Sequence, residues 1–362
     1  MVFARPLKSF KNLATKALNL HQNFTGVRKI RIAINGFGRI GRIAFRQILQ
    51  HPEIEIVAVN DLADAPTLTH LLRYDSVHGR FPLPLESTDN SILVGESSVH
   101  AITQPDPSKL PWKALDIDIV IESTGLFTNP AQASKHLEAG AKKVIISAPA
   151  TDEDEQVPFY VIGVNHQTLD KSRKIISNAS CTTNNVAPLI MILDRIWGIR
   201  EAFITTVHSY TKDQLLVDGP DKDWRRGRAA ATSIVPTTTG AAKAATRIFP
   251  HLRGRLGGAG IRVPVPDGSL TDLTCTLNRP ADISSINQAF RRAAESELKG
   301  ILEYTDHPIV SVDVIGNTHS AVFDARLTAV LGEDQRLVKV VAWYDNEMGY
   351  ASRLAELIEL YA

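Results

Sequence analysis

The run Lys29–Gly41, KIRIAINGFGRIG, constrains the fold more than any other stretch of the chain. Its first half is apolar and rich in β-branched residues, the composition of a strand buried on both faces. It ends in Gly36-Phe-Gly38-Arg39-Ile40-Gly41, which satisfies G-x-G-x-x-G, and the residues that follow, FGRIGRIAFRQILQ, are apolar at helical spacing. In a strand–turn–helix of this kind the glycines permit a tight turn and a close approach to a pyrophosphate, while the helix start supplies N–H groups and a partial positive charge. The pattern alone is common. It gains meaning from Asp61, which closes the next strand, IEIVAVND, 20 residues beyond Gly41. A carboxylate there accepts hydrogen bonds from ribose hydroxyls and repels a 2′-phosphate, so the unit reads as a site for NAD rather than NADP. A turn or helix-cap role for Asp61 is the structural alternative.

Similar units follow. IDIVIEST, a helix over NPAQASKHLEAGA, KKVIISAP and FYVIGVN continue the alternation of strand and helix up to about residue 178. That order predicts a doubly wound parallel sheet, a Rossmann domain, over 29–178. APLIMILDRIWG then reads as a helix, and EAFITTVHSYT, GGAGIRVPVP, LTDLTCTLNRP, IVSVDVI, HSAVFDARLTAVL and LVKVVAWYD read as longer strands. We assign 179–345 to a second, α+β domain on a mainly antiparallel sheet, and 346–362 to a terminal helix packing on the first domain. The fold class is α/β. A length of 362 residues suits two cores.

The formal charge is +1, so no global field draws nucleic acid or an anionic membrane, and neither is expected as a partner. No apolar run is long enough to span a bilayer. Two cysteines, Cys181 and Cys275, argue against a disulfide framework and for a reducing compartment. No metal is expected. The leader, residues 1–28, holds five Lys and Arg and no acid, with apolar residues at helical spacing. It reads either as a loosely ordered extension of a cytoplasmic protein or as a mitochondrial transit peptide.

Cys181 sits in SNASCTTNN, among short hydroxyls and amides rather than the apolar neighbours that a packed thiol prefers. A strand ends and an apolar helix begins there, which places the thiol near a helix N-terminus, an environment that lowers its pKa and offers N–H groups to a developing oxyanion. His208, in the β-branched TTVHSYT, is either a structural strand histidine or the partner base, with a pKa near neutrality. Cys275, between alternating apolar residues, reads as core.

At this point the chain resembles phosphorylating glyceraldehyde-3-phosphate dehydrogenase, from about Lys29 to the C-terminus. AINGFGRIGR, NDLADAPTLTHLLRYDSVHGRF, SNASCTTN, HSYT, VPTTTGAAKA, IRVPVP and WYDNEMGY carry the resemblance in order. It implies oxidation of D-glyceraldehyde 3-phosphate with NAD⁺ and inorganic phosphate to 1,3-bisphosphoglycerate, through a thiohemiacetal and a thioester. Cys181 would be the nucleophile and His208 its base. Ser180, Thr182, Thr239 and Gly240 would hold the attacking phosphate and the substrate backbone; Thr211, Arg226 and Arg262 the substrate's own phosphate. Gly36, Gly38, Arg39, Ile40, Gly41, Asp61, Ser123 and Asn346 would contact NAD. Read without the resemblance, Thr211 and Thr239 are ordinary strand or cap residues and Arg226 a solvated charge. KDQLLVDGPDKDWRRGR resembles the loop that lines a neighbouring subunit's cofactor groove, which implies a homotetramer. Two positions depart from the pattern: Asn185 replaces a frequent second cysteine, and Pro105 an arginine near the adenine. The nearest rival, erythrose-4-phosphate dehydrogenase, differs at the phosphate-site segments.

Overall fold

The computed structural model describes residues 28–152 and 154–362. They form two compact units. One comprises the chain up to Ser147 with Lys171–Ile175 and Ala355–Ala362, the other Ala148–Asp170 and Ile176–Leu354. Of the basic leader, 1–27 lie outside the described residues; Arg28 pairs with Asp116 and Asp118.

The first unit runs β1 (Ile30–Asn35), α1 (Arg39–Ile48), β2 (Ile54–Asn60), α2 (Ala65–Arg73), β3 (Leu85–Thr88), β4 (Ser91–Val94), β5 (Ser97–Ile102), β6 (Ile119–Glu122), α3 (Pro130–Glu138) and β7 (Lys143–Ile146); β8 (Ile175–Ser177) starts in it at Ile175 and continues in the second from Ile176. The sheet order is β3-β4-β5-β2-β1-β6-β7-β8. The pairs β5/β2, β2/β1, β1/β6 and β6/β7 are parallel. β6 is buried along its whole length and β2 at all but one residue, which is why their sequences are continuous apolar runs. Successive strands step outward from β1 in opposite directions, so the ends of β1 and β6 flank the topological switch point where such sheets bind ligands. Beneath it lies a buried network: Glu122 accepts from Asn35 Nδ2 at 2.6 Å and lies 3.0 Å from His136 Nε2, while Trp112 Nε1 donates to His136 Nδ1 at 3.0 Å. An indole nitrogen only donates, so Nε2 carries the His136 hydrogen toward Glu122.

The second unit contains α4 (Cys181–Trp197), β9 (Ile199–Ser209), β10 (Val235–Thr237), α5 (Ala241–Ile248), β11 (Leu256–Val263), β12 (Ser269–Leu277), α6 (Ile283–Glu295), β13 (Leu302–Thr305), β14 (Ala321–Asp324), β15 (Ala329–Leu331) and β16 (Leu337–Tyr344). A last helix, α7 (Met348–Tyr361), begins here and ends among residues of the first unit. The order is β10-β11-β9-β12-β16-β14-β13, with β15 on β16; β9/β11 and β13/β14 are parallel and the other pairs antiparallel. β12 alternates buried and half-buried residues, as the period of two requires when one face packs on helices.

Three segments differ from the sequence reading. FYVIGVN is no sheet strand: Asn165 accepts from Val161 N at 2.7 Å and donates to Phe159 O at 2.8 Å, folding the segment into turns with a single bridge from Phe159 to Ser177. IVSVDVI forms a 3₁₀ turn over Ser311–Val314, closed by Asp313 accepting from Val310 N at 2.9 Å. HSAVFDARLTAVL is split into β14 and β15 by a turn that Asp324 caps. Residues 148–170 also fall in the second unit. Arg247 of α5 explains this: it binds Asp152 at 2.6 Å and Val157 O at 2.5 Å and lies over the Phe159 ring.

Candidate active site

The glycine turn is shaped by contacts that exclude side chains. Gly36 has φ +94°, and a Cβ there would stand 2.6 Å from Thr124 N; one at Gly41 would stand 2.2 Å from Gly36 O. A Cβ at Gly38 meets nothing within 4 Å, so space is left beside the start of α1. α1 has no side-chain cap, and its first-turn N–H groups belong to Arg39, Ile40 and Gly41. This open, electropositive turn fits a pyrophosphate. Asp61 accepts from Phe37 N and Leu62 N, both at 2.7 Å, which fixes the carboxylate beside the turn. Ser123 donates to Gly36 O at 2.7 Å and so braces the turn. The Arg39 side chain forks onto Asp75 at 2.5 and 3.1 Å, so its place in a cofactor site is that of its backbone. Burial works to raise the Asp75 pKa, but Arg39 and the N–H groups of His78 and Val77 outweigh it and hold it at about 2. The segment carrying Pro105 is tied to the end of β2 by Asn60, which exchanges two hydrogen bonds of 2.9 Å with the Gln104 backbone.

Asp61→Ala is expected to relax cofactor choice toward NADP, because the group that repels a 2′-phosphate is gone. The ratio of kcat/KM for NAD⁺ and NADP⁺ should fall by about tenfold or more. An unchanged ratio would remove Asp61 from the selection.

In the second unit the chain turns sharply before α4. Ala179 takes φ +53°, a conformation that costs a non-glycine residue about 1–2 kcal/mol. It is held there by Tyr350 Oη donating to its carbonyl at 3.1 Å and by its own N–H donating to Ser177 Oγ at 2.9 Å. Ser180 caps α4 by accepting from Thr183 N at 3.1 Å, and Cys181 is the first helical residue. Its Sγ lies 3.5 Å from His208 Nε2 near the end of β9. Around this pair Ser180, Thr182, Thr239, Gly240 and Arg262 line a pocket of about 210 Å³, a volume suited to a small metabolite. Two helix starts meet there, since Gly240 is the N-cap of α5 and Thr239 Oγ1 accepts from Ala241 N at 3.2 Å. Both helix ends favour an anion.

The electrostatics correct two expectations. Burial pushes the Cys181 thiol up, against the pull of Arg262 and Thr182, so the helix start does not by itself yield a thiolate. His208 is held down from its ordinary 6.5 to about 4, first by burial and then by the Arg262 charge, so its imidazole is neutral at neutral pH. The pair is a thiol beside a neutral ring. Cys275 is buried and pushed up to about 12, an inert core thiol.

Thr211 and Arg226 do not line this pocket; both donate to the Asp213 carboxylate. Asn346 is in the second unit, its Oδ1 accepting from Ser209 Oγ at 2.8 Å and Ser269 Oγ at 2.7 Å, which fixes the amide's orientation. Several groups escape a sequence reading: Tyr344, whose hydroxyl meets Thr182 Oγ1 at 3.0 Å; Thr206, buried in the pocket wall; and Asp213. Only the alternation of TTVHS along β9, which puts Thr206 and His208 on one face, signals the second of these. Asn185, where a second thiol is frequent, faces the Ser320 and Trp343 carbonyls at 3.4 and 3.3 Å.

A dinucleotide-binding unit in one chain with a thiol–imidazole unit is the plan of an NAD-dependent dehydrogenase. Family profiles described as glyceraldehyde 3-phosphate dehydrogenase, NAD binding domain and C-terminal domain, match residues 30–130 and 180–346. Curated glyceraldehyde-3-phosphate dehydrogenases are similar over most of their length. That of Mycobacterium avium is 54% identical over 339 residues, covering 91% of this chain and 98% of the relative. That of Geobacillus stearothermophilus is 51% identical over 329 residues, covering 91% and 97%. The chain belongs to the glyceraldehyde-3-phosphate dehydrogenase family.

Proposed function

We propose that this chain oxidises D-glyceraldehyde 3-phosphate with NAD⁺ and inorganic phosphate to 1,3-bisphosphoglycerate, with Cys181 as nucleophile and His208 as base. The observation that carries the reading is the 3.5 Å approach of Sγ to Nε2 in an anion-favouring pocket. Nε2 takes the thiol proton as sulfur adds to the aldehyde carbon, and the imidazolium then faces the new alkoxide of a thiohemiacetal. NAD⁺, when bound, supplies the hydride acceptor through which that adduct becomes a thioester. Ser180, Thr182, Thr239 and the start of α5 hold inorganic phosphate for attack on the acyl carbon, which releases Cys181. Arg262 holds the substrate's own phosphate, joined by Thr211 and Arg226 once these leave Asp213. The glycine turn with Arg39, Ile40, Asp61 and Ser123 holds the dinucleotide, and Asn346 its carboxamide.

A homotetramer is part of the proposal: Leu216, Val217 and Trp224, in the loop between β9 and β10, are 84, 75 and 89% exposed and call for a covering surface. A cytoplasmic location accords with two unpaired cysteines. The test is NADH formation from the triose and from erythrose 4-phosphate, each with and without inorganic phosphate. Phosphate-dependent preference for the triose is expected; preference for the tetrose would favour the rival dehydrogenase.

A further inference from the structure

Glu122, the last residue of β6, is buried, and four donors converge on its carboxylate. Asn35 Nδ2 and His136 Nε2 meet Oε2 at 2.6 and 3.0 Å, while Thr124 N meets Oε1 at 2.8 Å and the Thr124 hydroxyl donates to the same oxygen. Two of these partners are pinned from behind. The Gln104 backbone donates to Asn60 Oδ1 and accepts from Asn60 Nδ2, each at 2.9 Å, so that amide has one orientation. Asn60 Nδ2 also donates to Asn35 Oδ1 at 2.7 Å, which turns Asn35 Nδ2 toward Glu122. On the other side Trp112 holds His136 Nδ1 as an acceptor and leaves the ring hydrogen on Nε2. Every bond runs toward Glu122, whose oxygens only accept.

What this carboxylate holds is the wall of the glycine turn. Gly36 follows Asn35 and takes φ +94°, and a Cβ built on it would stand 2.6 Å from Thr124 N. The Gly36 backbone therefore rests on the same peptide that donates to Oε1. We propose that Glu122 is a positioning residue for NAD⁺: Oε1 seats the Thr124 peptide, and through it the turn that receives the pyrophosphate. Asn35 and His136, on Oε2, anchor the carboxylate and contribute to the stability of the fold. The inference rests on the dinucleotide lying on the glycine turn.

Two substitutions separate the two oxygens' duties. In Glu122→Gln the one remaining oxygen is claimed by Asn35 and His136, whose hydrogens cannot turn away. The amide NH₂ is left facing Thr124. The Thr124 hydroxyl can rotate to accept, but the Thr124 N–H cannot, so the peptide is displaced. Glu122→Asp keeps the charge and loses the reach. Aspartate readily accepts from the N–H two residues on, so the Thr124 peptide stays seated while buried Asn35 and His136 lose their acceptor.

A merely structural residue makes cofactor affinity follow stability; the proposal predicts opposite orders. The experiment is titration of the full-length enzyme with NAD⁺ by calorimetry, with thermal unfolding of the same samples. Glu122→Gln is expected to bind NAD⁺ about tenfold more weakly, and Glu122→Asp within about twofold of wild type while unfolding at the lower temperature of the two. In turnover, KM for NAD⁺ should rise in Glu122→Gln with KM for the triose unmoved. Wild-type affinity in Glu122→Gln overturns the proposal, and so does a comparable loss in Glu122→Asp. If neither variant folds, the carboxylate serves the fold and the proposal falls. Gly36→Ala presses on the Thr124 peptide from the turn side and should also weaken NAD⁺. A loss there beside none in Glu122→Gln refutes the positioning role alone, whereas wild-type affinity in Gly36→Ala refutes the turn as the cofactor site and the proposal with it.

Discussion

Cys181→Ser is expected to lose turnover of glyceraldehyde 3-phosphate by about four orders of magnitude or more, while keeping the fold and NAD binding. The hydroxyl is a far weaker acid and a poorer nucleophile than the thiol, so the same base activates it far less readily. An ester, moreover, would not pass its acyl group to phosphate as a thioester does. The exchange is nearly isosteric at the first residue of α4, where serine is tolerated, and the glycine turn is far along the sequence. Three measurements check this: NADH formation, NAD binding by calorimetry, and thermal unfolding. Substantial residual turnover would displace Cys181 from the mechanism.

His208→Asn is expected to cost about 10²–10⁴-fold in kcat/KM, the usual range for a positioned base. Asparagine can still donate to Ser209 O, so the end of β9 should keep its geometry. The pH dependence separates a base from a structural residue. The profile of kcat/KM reports the free enzyme, in which burial and Arg262 hold His208 at about 4. Protonation below that value disables the base, so the acid limb of the wild type should lie well below 6.5 and be absent from the variant. A limb near 6.5, or one retained in His208→Asn, would assign it to another group.

Much of this site is local in the chain, which is why it can be read there. The strand, glycine turn and acid of the first unit lie within about thirty residues, and each element's period or φ requirement shows in its own sequence. Cys181 at a helix start is local too. What escaped depends on neighbours distant in sequence. The pKa directions of Cys181 and His208 are set by burial and by Arg262, 54 residues beyond the histidine. Thr211 and Arg226 meet on Asp213 through a loop that no periodicity describes. FYVIGVN has the composition of a strand, yet Asn165 satisfies its backbone and Arg247 ties the preceding segment to α5. β3 to β5 went unread because runs of 4, 4 and 6 residues are too short for their period to stand out.

The central claim is that oxidation passes through an acyl group on Cys181 that phosphate removes. It is tested most directly by mixing enzyme, NAD⁺ and D-glyceraldehyde 3-phosphate without inorganic phosphate, quenching in acid, and measuring intact and peptide masses. The account predicts one phosphoglyceroyl group per chain on the peptide bearing Cys181, formed with one NADH and discharged when phosphate is added. NADH formation with no adduct, or an adduct that phosphate leaves in place, would contradict it.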